Sequence, residues 1–136
     1  SPTTWTGFWK KGTTTVAVSP RRKAVAAADK AASLYVRARD KACVLCGSRE
    51  RLTCGHLITR TKYSVRWDPR NMHAQCAGCN YRHEHDASRF TMWFIQKFGV
   101  GAYMDLVSDS NRIVKYTTQD LQMIAASYNG KRERFQ

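Results

Sequence analysis

Four of the five cysteines fall into two Cys-x-x-Cys pairs, Cys43-Val-Leu-Cys46 and Cys76-Ala-Gly-Cys79. No other feature of the sequence constrains the fold so tightly. Two such pairs offer four thiolates, the donor set that zinc accepts in a closed tetrahedral shell with no position left for water. A site of that kind is structural: it ties distant chain segments together, and its binding free energy becomes folding free energy. Twenty-nine residues separate Cys46 from Cys76, so the intervening chain must form structure of its own. The fifth cysteine, Cys54, is expected to be a small buried hydrophobe. The N-terminal stretch carries Trp5, Phe8 and Trp9 but no signal-peptide apolar core. The cysteines therefore suit metal ligation in a reducing compartment better than a disulfide framework.

Around this staple, a chain of 136 residues fits one domain. Residues 1–18 form an N-terminal extension in which 13–18 could pair as a short strand. Ser19-Pro20 is a helix entry, and Val25, Ala28, Ala32, Tyr35 and Val36 share one face of a helix over 20–40. The zinc-bound core spans 43–86. The C-terminal helices span 87–130: one over 87–98 stopped by Gly99, a short one over 102–107, and one entered through a capping box at Thr117 and Asp120 and ended by Asn129-Gly130. Residues 131–136 are a basic tail. The expected class is α+β and α-rich.

Twenty-three Lys and Arg against ten Asp and Glu leave a net charge of +13 and a sequence pI near 10.0. A surplus of that size points to a polyanion, with nucleic acid ahead of an anionic membrane surface. No stretch approaches the roughly 20 apolar residues of a membrane span.

The segment between the cysteine pairs carries the chemistry. Residues 52–58, Leu-Thr-Cys-Gly-His-Leu-Ile, read as a short strand with His56 near its end, and a polar, basic loop follows over 59–70. Asn71 stands five residues before the second pair and Asn80 directly after it. A histidine ending a strand, then an Asn before and an Asn after a Cys-x-x-Cys, resembles the HNH (His-Me finger) nucleases. The longer strings Cys54-Gly-His-Leu-Ile-Thr-Arg60, Val65-Arg-Trp-Asp-Pro-Arg-Asn71 and Gln75-Cys-Ala-Gly-Cys-Asn80 are similar to the NinG/Rap recombination proteins of lambdoid phages. That similarity covers roughly residues 30 to 125.

The resemblance implies a zinc-stapled ββα-metal core flanked by helices and a metal-dependent endonuclease acting on branched DNA such as Holliday junctions, in the cytoplasm of a bacterial host. It also leaves room for a homodimer. Phosphodiester hydrolysis needs a deprotonated water and a cation to stabilise charge on the phosphate. His56 is the candidate base, because an imidazole titrates near working pH. Asn80 offers a hard carbonyl oxygen to Mg²⁺ or Mn²⁺, and Asn71 is implied to pin the loop that orients His56. His83 and Glu84, three and four residues beyond Asn80, are further candidates for the metal or its waters, or else part of a solvated polar face. His73 is expected to be structural.

Many HNH members place an aspartate just before the base, where this chain has Gly55. In this it looks like the DRGH-type nucleases, whose base also follows Gly. Thr53 stands where those carry an acidic residue. Arg60, Lys62, Arg66, Arg70 and Arg82 are candidate DNA contacts, and Arg60 is also a candidate catalytic residue by resemblance. Two alternatives remain: a zinc-stabilised DNA-binding module without catalysis, and an HNH nuclease of a restriction, packaging or mobile-element pathway.

Overall fold

Ser19 and Pro20 start the longest helix, as their residue types predict. In the computed structural model, which describes residues 17–135, the elements are α1 (Pro20–Asp40), β1 (Leu52–His56), α2 (Tyr63–Arg66), β2 (Met72–Cys76), α3 (Ala77–His85), α4 (Ser88–Phe98), α5 (Val100–Ser110) and α6 (Thr118–Arg132). Most of the strand expected over 13–18 falls outside the described residues. At the start of α1 the Ser19 hydroxyl accepts the Arg22 N–H at 3.2 Å. At its end Lys41 turns left-handed, with φ 66°.

The two strands pair antiparallel, from Leu52 opposite Cys76 to His56 opposite Met72. Because successive side chains of a strand point to opposite faces, this small sheet separates two cores. On one face Cys54, Met72 and Ala74 meet α1 and α6. Ala24, Ala28, Ala31 and Ala32 line the buried stripe of α1 and let α6 approach closely with Leu121, Ala125 and Tyr128. The Tyr128 hydroxyl donates to the Trp67 carbonyl and so satisfies a buried polar group. On the other face α2, α4 and α5 bring together Leu57, Val65, Phe90, Phe94 and Leu106. Gly99, with φ 94°, ends α4 and lets α5 fold back.

The chain is thus a helix-rich α+β protein with a two-stranded sheet. Three local expectations change. Residues 59–70 are more than a polar loop: α2 and a 3₁₀ turn at Pro69–Asn71 lie at this end of the core, because Val65 is fully buried and Trp67 nearly so. The short helix expected over 102–107 extends to both sides as α5. Helix α6 runs through Asn129-Gly130 to Arg132 and on into a 3₁₀ turn, Glu133–Phe135. Tyr35 packs against both Tyr128 and Phe135, at ring separations of 5.1 and 5.8 Å, and this contact holds the last turns against the local stop signal. Among the described residues, no helix is long and apolar enough to cross a membrane.

Candidate functional site

The four paired cysteines converge. The thiols of Cys43, Cys46, Cys76 and Cys79 all lie within 4.8 Å of one another, and the Cys46 and Cys76 sulfurs are 3.7 Å apart. Tetrahedral zinc with bonds of about 2.3 Å sets its sulfurs roughly 3.8 Å from each other, so the cluster has the donor set and spacing for that ion. Its electrostatics ask for a cation. Backbone N–H groups of Cys76, Cys46 and Leu45 pull Cys43 down to about 6 against the effect of burial. Burial, and then the three neighbouring thiols, push Cys79 up to about 12. Four thiolates this close repel one another unless a dication sits among them. Backbone bonds link the cluster to the hairpin: Val44 N–H donates to Ala74 at 2.9 Å and Ala77 N–H to Arg51 at 3.0 Å. Cys54 stays outside the cluster, and burial pushes its thiol up to about 12.

His56 ends β1 with a defined proton arrangement. Its Nε2 lies 2.9 Å from the carbonyl oxygen of Arg66, and a carbonyl can only accept, so Nε2 carries the hydrogen. In the neutral ring Nδ1 is then the bare nitrogen. Burial holds His56 below the usual imidazole range, although the Arg66 carbonyl pulls the other way. Asn71, fully buried, closes the loop that supplies this carbonyl. Its Oδ1 accepts the Ile58 N–H at 2.7 Å, and its Nδ2 donates to Ile58 at 2.9 Å and Val65 at 3.1 Å. The loop's two ends are also joined by the Leu57 N–H donating to the Asn71 carbonyl at 2.9 Å.

Asn80 lies in the first turn of α3. Its Nδ2 donates to Thr53 Oγ1 at 3.0 Å, while the same hydroxyl donates to the Gln75 carbonyl at 2.8 Å. The amide is thereby oriented with Oδ1 left for another partner. Thr53 thus positions Asn80. Gly55 is explained by space: a Cβ there would stand 2.1 Å from the Oε1 of the fully buried Gln75. A side chain before His56 fits only if the Gln75 amide moves aside.

A cleft of 770 Å³ brings together His56, Arg60, Asn80, His83 and Glu84. A smaller one of 350 Å³, walled by Asp29, Ser33 and Arg37 of α1, shares His56 and Arg60 with it. Glu84 is exposed. His83 donates from Nε2 to the Leu57 carbonyl at 3.2 Å, and its Nδ1 is buried without a partner among the described residues. In this rotamer Nε2 is engaged by that carbonyl, and Nδ1 is the nitrogen left without a partner. His73, 5 % exposed, is enclosed by Phe90, Trp93 and Phe94.

The arginines divide. Arg60, Lys62 and Arg82 are exposed. Arg66 instead forks onto Asp29, with Nε to Oδ1 at 3.0 Å and Nη2 to Oδ2 at 2.6 Å. Arg70 is engaged by Asp68 and Asp109, at 2.6 and 2.7 Å. Arg66 and Arg70, expected from the sequence to meet phosphates, are thus both paired with carboxylates in this structure. Sequence reading missed Asp29, which lies 37 residues from Arg66 with no local motif to mark it.

A family model described as the bacteriophage lambda NinG protein matches residues 9–136. The chain is 29% identical over 121 residues to protein ninG of Salmonella phage P22, 28% to that of Escherichia phage 933W and 27% to that of Escherichia phage lambda. Each match covers 85% of this chain and 59 to 60% of the relative, so the chain spans about three-fifths of the length of these curated relatives. No solved structure matches it.

Proposed function

The chain belongs to the NinG family of phage proteins, and on that premise we propose that it is a metal-dependent DNA endonuclease of the HNH type, cutting branched recombination intermediates. The observation that carries this reading is the pairing of two preset side chains in one cleft: a neutral His56 with Nε2 held as the donor, and Asn80 with its amide turned so that Oδ1 is free. A scaffold needs neither feature.

The chemistry follows from these atoms. His56 Nδ1 accepts a proton from a water in line with the scissile phosphate, and the Arg66 carbonyl stabilises the imidazolium that forms. Asn80 Oδ1 would hold Mg²⁺ or Mn²⁺, with Glu84 close enough in sequence and cleft to reach its waters. Such an ion supplies charge stabilisation at the phosphate and the leaving oxygen. Arg60, shared by both clefts, and the exposed Lys62 and Arg82 are the cations that meet the DNA backbone. Zinc in the four-cysteine cluster holds hairpin and helix together and takes no part in the reaction. A phage protein of this kind works in the cytoplasm of its bacterial host.

The test uses four-way junctions, flaps and linear duplex with Mg²⁺. His56→Ala should lower cleavage by about 10² to 10⁴-fold, the usual worth of a general base. Zinc content and junction affinity should stay as they are. Asn80→Ala should raise the Mg²⁺ concentration needed for cutting. A wild-type protein that binds junctions and never cuts them is instead a DNA-binding module. Equal rates on all three substrates would move the protein to another nuclease pathway.

A further inference from the structure

Helix α1 is strongly basic, and Asp29 and Asp40 are its only acidic residues. Asp40 pairs with Arg39 at 2.7 Å and accepts the Ala74 N–H at 2.8 Å, which fastens the helix to β2. Asp29 has a different set of partners, and all of them lie behind His56.

The carbonyl that accepts from His56 belongs to the peptide joining Arg66 to Trp67. The side chains on both sides of that peptide converge on one carboxylate. Arg66 donates to it twice, as described above, and Trp67 Nε1 donates to Asp29 Oδ1 at 3.0 Å. A planar peptide whose two flanking residues are both anchored cannot rotate without breaking one of these bonds. Arg66 also lays its guanidinium 5.3 Å from the rings of both Tyr63 and Trp67, and Nη1 reaches the Arg60 carbonyl at 3.4 Å. The Arg66 side chain is 12% exposed and that of Asp29 is 29% exposed, so water competes only in part for these bonds.

We infer that Asp29 is the positioning residue of the His56 base: through Arg66 and Trp67 it holds the carbonyl that fixes Nε2 as the donor and Nδ1 as the acceptor. This rests on the reading of His56 as the base. It assigns the reactive tautomer to a residue of another helix. It also gives Arg66 a role other than phosphate binding.

An Asn at position 29 keeps the shape but presents an NH₂ to one of the Arg66 donors, so the fork opens while the packing is retained. The experiment compares the full-length zinc-loaded wild type with Asp29→Asn and Trp67→Phe, reading the imidazole nitrogens of His56 by NMR alongside cleavage kinetics. Wild type should show a single Nε2–H tautomer. Asp29→Asn should show a mixture of tautomers, with kcat lower by about 10 to 10²-fold and with KM for junction DNA and zinc content unchanged, the pattern of a base misplaced by a fraction of an ångström. Trp67→Phe, which removes one of the three donors, should move both readouts in the same direction by less, and it carries the test if Asp29→Asn does not fold. A folded Asp29→Asn or Trp67→Phe protein with the wild-type tautomer and kcat overturns the inference. If the tautomer shifts in Asp29→Asn while His56→Ala cuts as fast as wild type, the positioning stands and the reading of His56 as base is the part that fails.

Discussion

His73 is enclosed by aromatic rings, donates from Nε2 to the Arg70 carbonyl at 2.9 Å, and has Arg39 Nη2 3.4 Å from Nδ1. Burial pushes it down to about 4 from 6.5, and the nearby Arg39 and Lys97 add to the shift. The unfolded chain therefore binds a proton between pH 6.5 and 4 that the folded chain refuses, and stability falls as pH is lowered through that window. The loss is on the order of 3 kcal/mol at its limit. Thermal unfolding followed from pH 7 to 4 should show a steeper drop for wild type than for His73→Gln. On the proposed reading of His56 as the base, its neutral form is the active one and burial lowers its pKa, so the acid limb of the rate profile should lie below the ordinary 6.5. At this scale the sequence made some roles legible and hid others. The cysteine cluster could be read because zinc needs ligands in short local pairs, and the places of His56 and Asn80 along one cleft because both sit close to those pairs in sequence. Thr53 and Asp29 act through hydrogen bonds to partners 22, 27 and 37 residues away, and nothing local in the sequence records such distances.

Among the elements, the hairpin and α3 are the ones that zinc in the four-cysteine cluster would tie together. Cys76 closes β2 and caps α3, where the Cys79 N–H meets its sulfur at 3.5 Å, and Asn80 is the very next residue. Structural zinc contributes on the order of 10 kcal/mol, comparable with the whole stability of a small domain. Purified protein should contain one zinc per chain. Chelation at raised temperature should melt the fold and abolish DNA cutting together, which circular dichroism and metal analysis would follow. Zinc-free protein that keeps its melting temperature would exclude the structural role. Helix α1 was readable from its cap and its apolar stripe, since both are local. The end of α6 was not: Asn-Gly is a stop signal by propensity, and aromatic packing from Tyr35, nearly a hundred residues earlier, overrides it.

For the molecule as a whole, the surplus of +13 and the exposed cations beside the cleft predict binding dominated by counterion release. The logarithm of the association constant should fall linearly with the logarithm of salt, by about 0.9 for each duplex phosphate contacted. Arg60→Gln and Arg82→Gln should each reduce that slope by about one contact, whereas Arg70→Gln, whose charge is met by two carboxylates, should change it less. Titrations between 50 and 200 mM salt would measure this, and an affinity flat over that range would rule the electrostatic mode out.

The bonds that Asn71 makes at the base of residues 58–71 have a further consequence. A loop tied at its neck by Asn71, and pinned to the rest of the protein through Val65, Arg66 and Trp67, leaves its tip as the part that faces solvent. Its tip, around Thr61 and Lys62, is exposed and should accept changes of length and charge with little strain on the hairpin. On the proposed reading, tip residues such as Lys62 are the place where charge toward a DNA substrate can be rewritten while the neck stays unaltered.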